Sequence, residues 1–350
     1  MVDFNIGCRK IGKESPIFIV AEIGANHNGD PLLAKEMIKA AAAAAVDAVK
    51  FQMYTSASLL ADADRIISWG PPGKEKSEPI GEMFDRLALP PDSYEDLFNF
   101  AKSLGLIAFA TPFSIEEAHF LAELNVPCYK IASSDVTYLD LLREVARYRK
   151  PILLSLGKST LGEVDEAIRN LLSAGCEDLV LLHCVAQYPA PINEMNLRSI
   201  STLSAIYPEC VVGLSDHSLG ITPCLGAIAL GAKIVEKHFT LDHDLEGPDH
   251  WFSSDPNEMR QLVKEVRLLE SALGQPGKGI LPCEKQERVT STRSLVLKTG
   301  VKAGTAVTEE NLKIVRPGWG IHPHDKEKII GLKVQYDLPT NTVLKWDHFR

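Results

Sequence analysis

Two histidines, two lysines and a glutamate stand at points of the chain where they can act together. His217 closes Leu214-Ser215-Asp216-His217 and His238 closes Val235-Glu236-Lys237-His238, each at the end of an apolar run. Two neutral imidazoles reaching one point leave coordination positions open, the arrangement of a catalytic divalent-metal site that can hold a substrate oxygen and a water. A single histidine there would more often be a satisfied core residue. Lys50 and Lys130 also end apolar runs, and with the hydroxyls of Thr111, Ser133, Ser155 and Ser215 they suit a phosphate plus a carboxylate better than a neutral ligand. One such lysine alone would more often cap a helix or pair with a surface carboxylate. Glu22 follows Ile17 to Ala21 and precedes Gly24-Ala25-Asn26-His27-Asn28-Gly29, a loop rich in residues that tolerate positive φ. It can serve as a general base or orient a metal-bound water, with its pKa set by burial and Lys50, or simply hold the loop by a hydrogen bond. Gly247-Pro248-Asp249 reads equally as a site or a plain turn.

These residues need a scaffold that brings strand ends together. From Pro16 to about Leu273, short β-branched runs alternate with stretches of helical period, the pattern of βαβ units and a parallel sheet. The predicted strands are Ile17 to Ala21, Ala48 to Phe51, Ile107 to Ala110, Cys128 to Ile131, Ile152 to Ser155, Leu179 to His183, Val211 to Leu214 and Ile234 to Lys237. Predicted helices include Leu33 to Ala45, Ile115 to Leu124, Leu161 to Ser173 and Ile221 to Leu230. Eight such units over roughly 250 residues fit a closed (β/α)₈ TIM barrel better than an open doubly wound sheet, and no GxGxxG turn follows any strand. In such a barrel the site lies at the C-terminal strand ends, which here carry Glu22, Lys50, Gln52, Thr111, Lys130, Ser133, Ser155, His183, Ser215, His217, Glu236 and His238. Residues Thr55 to Pro90 break the rhythm, a loop long enough to act as a substrate cover. The six alanines from Ala40 to Ala45 are helix formers that allow close packing, and carry no function.

After Gly274 the texture changes to Gly-Pro punctuation, an alternating strand near Arg293 to Leu297, and Pro317-Gly318-Trp319-Gly320. The predicted organisation is a catalytic barrel over 1–274, a linker over 275–284 and a small β-rich domain over 285–350, too small to be more than marginally stable alone. The formal net charge of −9 excludes a nucleic-acid partner held by phosphate neutralisation. The start shows no basic segment followed by an apolar stretch, and no run of about 18 apolar residues occurs, so a cytoplasmic protein without membrane contact is expected. Seven cysteines without a CxxC pair read as reduced core residues.

Ala21-Glu22-Ile23-Gly24-Ala25-Asn26-His27-Asn28-Gly29, Lys50-Phe51-Gln52, Gly213-Leu214-Ser215-Asp216-His217, Glu236-Lys237-His238-Phe239 and Arg316-Pro317-Gly318-Trp319-Gly320 together resemble the motifs of the bacterial sialic acid synthase family, over about residues 16 to 350. The resemblance implies that the C-terminal domain is antifreeze-like (SAF). It also implies that phosphoenolpyruvate is condensed with an open-chain N-acetylated amino sugar to a nonulosonic acid. On matching positions it implies that Lys50, Thr111, Lys130, Ser133 and Ser215, with Ser155 beside them, hold phosphoenolpyruvate. His217 and His238 would bind the metal, Mn²⁺ first with Mg²⁺ or Co²⁺ as alternatives. Glu22, Gln52, Tyr188 and Asp249 would face the sugar, and Arg316 would reach its N-acyl group from the other subunit of a domain-swapped homodimer. Two positions depart from the pattern: Ala186 stands where N-acetylneuraminate synthases tend to carry Asn, and Asp135 where many carry Glu. Legionaminate, pseudaminate and spore-coat relatives share the chemistry with other sugars, and Trp251-Phe252 is an unusual pair that such a change would explain.

Two competing readings make different demands. A Schiff-base aldolase would use Lys130 as nucleophile and work without metal. A carbohydrate- or ice-binding tail on an inert barrel would not need His217 at all.

Overall fold

The structure, a computed structural model, describes residues 3–350 of the chain. The chain divides into one compact unit ending at Gly274 and a second beginning at Gln275. The first contains eight parallel strands: β1 (Phe18–Gly24), β2 (Ala48–Met53), β3 (Ile107–Pro112), β4 (Tyr129–Ile131), β5 (Ile152–Ser155), β6 (Leu179–Cys184), β7 (Val211–Asp216) and β8 (Ile234–His238). Their order in the sheet is β3-β2-β1-β8-β7-β6-β5-β4, and β3 lies against β4, so the sheet curls into a barrel closed except for a hydrogen-bonded ladder at that seam. A helix follows each strand: α1 (Pro31–Ala43), α2 (Ser93–Ser103), α3 (Ile115–Glu123), α4 (Leu139–Arg147), α5 (Leu161–Ser173), α6 (Ser199–Ile206), α7 (Thr222–Ala229) and α8 (Pro256–Leu273).

Side chains alternate across a strand, and here the alternation sorts two cores. Phe18, Val20, Ala48, Ile107, Phe109, Cys128, Leu153, Val180, Leu182, Val211 and Ile234 fill the barrel interior. Their neighbours in sequence, such as Ile19, Val49, Leu154, Leu181 and Val235, pack outward on the helices. Gly213 continues the inward series on β7; a Cβ there would sit 2.6 Å from both Leu182 Cδ2 and the Ile234 carbonyl oxygen, so the interior closes only with glycine. An N-terminal antiparallel hairpin, Phe4–Ile6 with Arg9–Ile11, adds Phe4, Ile6 and Ile11 to the same interior cluster.

The predicted strands are recovered, six of the eight with small extensions at their C-terminal ends. Two expectations change. Helix α1 stops at Ala43, because Ala44 is its C-cap and Ala45 turns left-handed at φ 60°. The segment Thr55 to Pro90 is not a bare loop: it forms an antiparallel hairpin (Ile66–Trp69 with Lys76–Pro79) and a helix (Ile80–Leu87). That helix buries Ile80, Met83 and Leu87 in a cluster with Ala25, against which Leu60, Ile67, Trp69 and Phe84 pack. Its apolar face is short, and mixed charges hid it in the sequence.

The second unit pairs Ser294–Leu297 with Leu312–Val315 antiparallel, around a core that includes Leu295, Leu297, Val307, Ile321, Ile329 and Leu344. Isolated bridges such as Val301 with Leu338 and Val334 with Phe349 complete it. The helix Lys285–Ser291 precedes this core. No helix among the described residues is long and apolar enough to cross a membrane.

Candidate active site

The inward series that is apolar low in the barrel turns polar at the last inward position of most strands. Residues 20, 22 on β1, 48, 50, 52 on β2, 109, 111 on β3 and 234, 236, 238 on β8 share that side, and register then fixes neighbours. Glu22 is level with Lys50 on one side and His238 on the other, Gln52 with Thr111, and Ser215 with Cys184 and Glu236. A register shift between Glu22 and Gly24 kinks β1 where it meets β2, as bulges do next to active sites. Gly24 has φ 51°, and a Cβ there would meet Glu22 Oε1 at 2.9 Å and Gln52 Nε2 at 3.2 Å, so only glycine leaves the carboxylate its place.

The floor is a compact set of buried charges. Lys130 Nζ donates to Glu236 Oε1 at 2.8 Å, Ser215 Oγ donates to the same oxygen at 2.9 Å, and Lys50 Nζ lies 3.9 Å from it. Lys50 Nζ also sits 2.8 Å from Glu22 Oε2 and donates to Thr111 Oγ1 at 3.1 Å. Gln52 Nε2 donates to Glu22 Oε1 at 2.7 Å. Burial alone would raise the Glu236 pKa, but the ammonium groups of Lys130 and Lys50 outweigh it and hold the carboxyl at about 2. Burial pushes Glu22 above the usual carboxylate range, against the pull of Lys50 and with the repulsion of Glu236 added. Burial lowers the Lys130 pKa, while for Lys50 the two carboxylates overcome burial and raise it. Buried Ser155 Oγ and Glu236 Oε2 have no hydrogen-bond partner, an arrangement that awaits a polar ligand.

His217 and His238 meet with ring centroids 5.2 Å apart at the wall of the same cavity. His217 Nδ1 lies 2.9 Å from the Val185 carbonyl oxygen; a neutral ring donating there presents its Nε2 lone pair. Burial, with His217 and three lysines adding to it, drives the His238 pKa well below its ordinary value, so this imidazole is neutral. Its buried Nδ1 has no hydrogen-bond partner, and Asp249 Oδ2 is 3.7 Å away. Two imidazoles, one neutral and one oriented, leave lone pairs that would suit a divalent ion. Elsewhere, His243, Asp255 and Glu258 form a three-donor group. Its donors are already engaged: Asp255 Oδ1 caps α8, Glu258 Oε2 accepts the Asp255 N–H, and His243 Nε2 bonds the Ser253 carbonyl oxygen.

Behind the strands, the opposite parity supports this pair. Lys237 points away from the cavity and donates to Asp216 Oδ2 at 2.8 Å and to the Ser218 carbonyl at 2.7 Å. Asp216 Oδ1 accepts the Ser218 N–H at 2.9 Å. Residues 216 and 218 are thus pinned on either side of His217.

The structure brings Glu22, Lys50, Gln52, Thr111, Lys130, Ser133, Ser155, Tyr188, Ser215, His217 and His238 to the walls of one cavity of about 580 Å³ including its mouth, large enough for two small substrates. Tyr188 lies with its ring centroid 4.1 Å from that of His217 and 5.7 Å from that of Phe252, which itself is 5.6 Å from His238. Asp249 is beside this group through His238, with its carboxyl pushed by burial to about 6. His183, one of the strand-end groups, is not in the cavity: its Nε2 bonds the Met195 carbonyl at 2.7 Å on the outer side of β6. Arg316 is exposed in the second unit. Glu236, marked as inward by its alternation with His238, carries no role legible from sequence, and Phe113, Lys158 and Cys184 join it on the cavity wall without a sequence signal.

The NeuB family model matches residues 37–278, and the SAF domain model matches residues 292–350. An N,N'-diacetyllegionaminic acid synthase of Legionella pneumophila is 36% identical over 98% of this chain and 97% of its own. A pseudaminic acid synthase of Campylobacter jejuni is 36% identical over 96% of this chain and 98% of its own. The crystal structure of an N-acetylneuraminic acid synthetase from Leptospira borgpetersenii is 33% identical, with a TM-score of 0.74 over 82% of this chain and 95% of that one. The fold and site define a phosphoenolpyruvate-condensing enzyme of the sialic acid synthase type. The chain belongs to the NeuB family and carries a C-terminal SAF domain.

Proposed function

We propose that this enzyme joins C3 of phosphoenolpyruvate to the aldehyde of an open-chain N-acetylated amino sugar, N-acetylmannosamine or a 2,4-diacetamido-trideoxyhexose, giving a nonulosonic acid and phosphate. The observation that carries the reading is the pair of buried lysines joined through Glu236, ringed by hydroxyls and set beside two imidazoles at the same barrel mouth. Equal identity to synthases of two different products leaves the sugar open.

In this reading Lys50, Thr111, Lys130, Ser133, Ser155 and Ser215 bind the phosphate and carboxylate of phosphoenolpyruvate. Gln52, Tyr188 and Asp249 hold the sugar, and Arg316 from the second subunit of a domain-swapped homodimer reaches its N-acyl group, with the SAF domain as a cap. His217 and His238 would hold a divalent ion, Mn²⁺ or alternatively Mg²⁺ or Co²⁺, which when bound supplies Lewis acidity toward the sugar aldehyde. Phe252, buried against His238, shields that side from bulk water. Once the C–C bond forms, water adds to the cationic C2 of the former phosphoenolpyruvate. Glu22, kept basic enough by burial to accept a proton and oriented by Gln52, takes that proton. The tetrahedral intermediate then expels phosphate by cleavage of its C–O bond. We place this activity in the cytoplasm.

A Schiff-base aldolase would need Lys130 as an unpaired amine; burial lowers its pKa, but its Nζ lies 2.8 Å from the Glu236 carboxylate, which favours the ammonium. Phosphoenolpyruvate labelled with ¹⁸O at the bridging position separates the two. The expected result is all of the label in released phosphate and no trapped adduct with borohydride. Label retained in the organic product, or a borohydride-stable adduct at Lys130, would overturn the reading.

A further inference from the structure

The charges on the cavity floor cancel before any substrate arrives. Lys50 is 2.8 Å from Glu22 and Lys130 is 2.8 Å from Glu236, all four buried, so two ammonium groups face two carboxylates. Phosphoenolpyruvate adds roughly two negative charges on its phosphate, besides its carboxylate. The third lysine on the wall, Lys158, forms no ion pair or hydrogen bond through its ammonium among the described residues. Asp135 feels its field without coming within ion-pair distance.

The backbone holds Lys158 at this place. Lys158 has φ 61°, a left-handed conformation that an unbranched non-glycine residue adopts at a cost. It follows Gly157, whose N–H donates to Ser133 Oγ at 2.9 Å. A Cβ on Gly157 would lie 2.9 Å from both Ser133 Oγ and Ala186 Cβ, so the segment is drawn tight against the cavity wall. The next residue but one, Thr160, caps α5 in a capping box with Glu163, which fixes the segment from its other end. Lys158 is exposed and lines the same cavity as the buried Ser155 hydroxyl that lacks a partner.

We propose that Lys158 is a further substrate-binding residue, whose ammonium grips the phosphate of phosphoenolpyruvate at the cavity mouth and supplies the positive charge that the paired Lys50 and Lys130 do not. This rests on the phosphoenolpyruvate reading above. The Lys158→Met variant keeps an unbranched chain of similar length, and therefore the same backbone conformation, while removing the charge. Its expected KM for phosphoenolpyruvate is about tenfold or more above that of the native enzyme, the scale of one charge-assisted contact. The KM for the sugar stays within about twofold, and the salt dependence of kcat/KM for phosphoenolpyruvate becomes shallower. Lys158→Arg retains most of the native value, and equal melting temperatures exclude a folding defect. An unchanged KM for phosphoenolpyruvate, or a rise confined to the sugar, overturns the proposal. Calorimetric titration of the native enzyme with phosphoenolpyruvate alone keeps the two readings apart. Native binding with an unaltered Lys158→Met affinity defeats this inference only, whereas no native binding defeats the functional reading as well.

Discussion

Glu236→Gln is expected to be the most damaging single substitution for stability. The carboxylate pairs with buried Lys130 and accepts from the Ser215 hydroxyl, and its removal leaves Lys130 without a carboxylate partner, while Lys50 keeps Glu22. Breaking a buried pair in this way costs about 3–5 kcal/mol. In a domain of this size that corresponds to a fall in melting temperature of roughly 10 °C. Glutamine keeps the shape, so packing loss does not contribute. Lys130, whose burial already favours the neutral amine, will then shed its proton more readily, and phosphoenolpyruvate should bind more weakly as pH rises. Saturating phosphoenolpyruvate should restore part of the lost stability by supplying the missing anion, to a greater extent than it stabilises the native protein. Thermal unfolding with and without the ligand checks this. A melting temperature equal to that of the native chain would mean that Lys130 is not held by Glu236.

Glu22→Gln should act on rate instead. Its side-chain oxygen can still bond Gln52, and Lys50 keeps Glu236 nearby, so the fold survives. What is lost is a proton acceptor at the place where water must add, and such groups contribute about 10²–10⁴ in rate. The expected pattern is a fall in kcat of that order with little change in either KM. A drop in affinity for the sugar at unaltered kcat would instead make Glu22 a binding group, and steady-state kinetics with both substrates varied distinguishes the outcomes.

Much of this site is legible as alternation. Once a strand is recognised, every second residue faces the interior, so Lys50 and Gln52 travel together, as do Glu236 and His238, and His217 follows Ser215. The same parity removes His183 from the site and places Lys237 behind it, distinctions that a list of strand-end residues does not make. Partnerships are another matter. Lys130 and Glu236 are 106 residues apart, and only closure of the barrel makes them neighbours at 2.8 Å. Sequence names both and pairs neither. Lys158 was invisible for a different reason: it follows β5 by a left-handed turn, and nothing in Leu156-Gly157-Lys158 announces that the lysine will adopt it. The hairpin and helix between Thr55 and Pro90 were obscured because their apolar residues are few and serve a local cluster instead of the main core. Phe252 drew notice as part of an unusual pair, but its place against Tyr188 and His238 comes from the return of the segment after β8.

If the charged floor and the paired imidazoles form one phosphoenolpyruvate-condensing site, the two substrates must react there together. The decisive measurement is phosphate release from phosphoenolpyruvate by the purified chain with Mn²⁺, across N-acetylmannosamine, its 6-phosphate and the 2,4-diacetamido sugars that lead to legionaminate and pseudaminate. The expected result is release with one of these sugars, abolished by EDTA and by His217→Ala. Release that survives both EDTA and the loss of His217, or none with any sugar from folded protein, would contradict it.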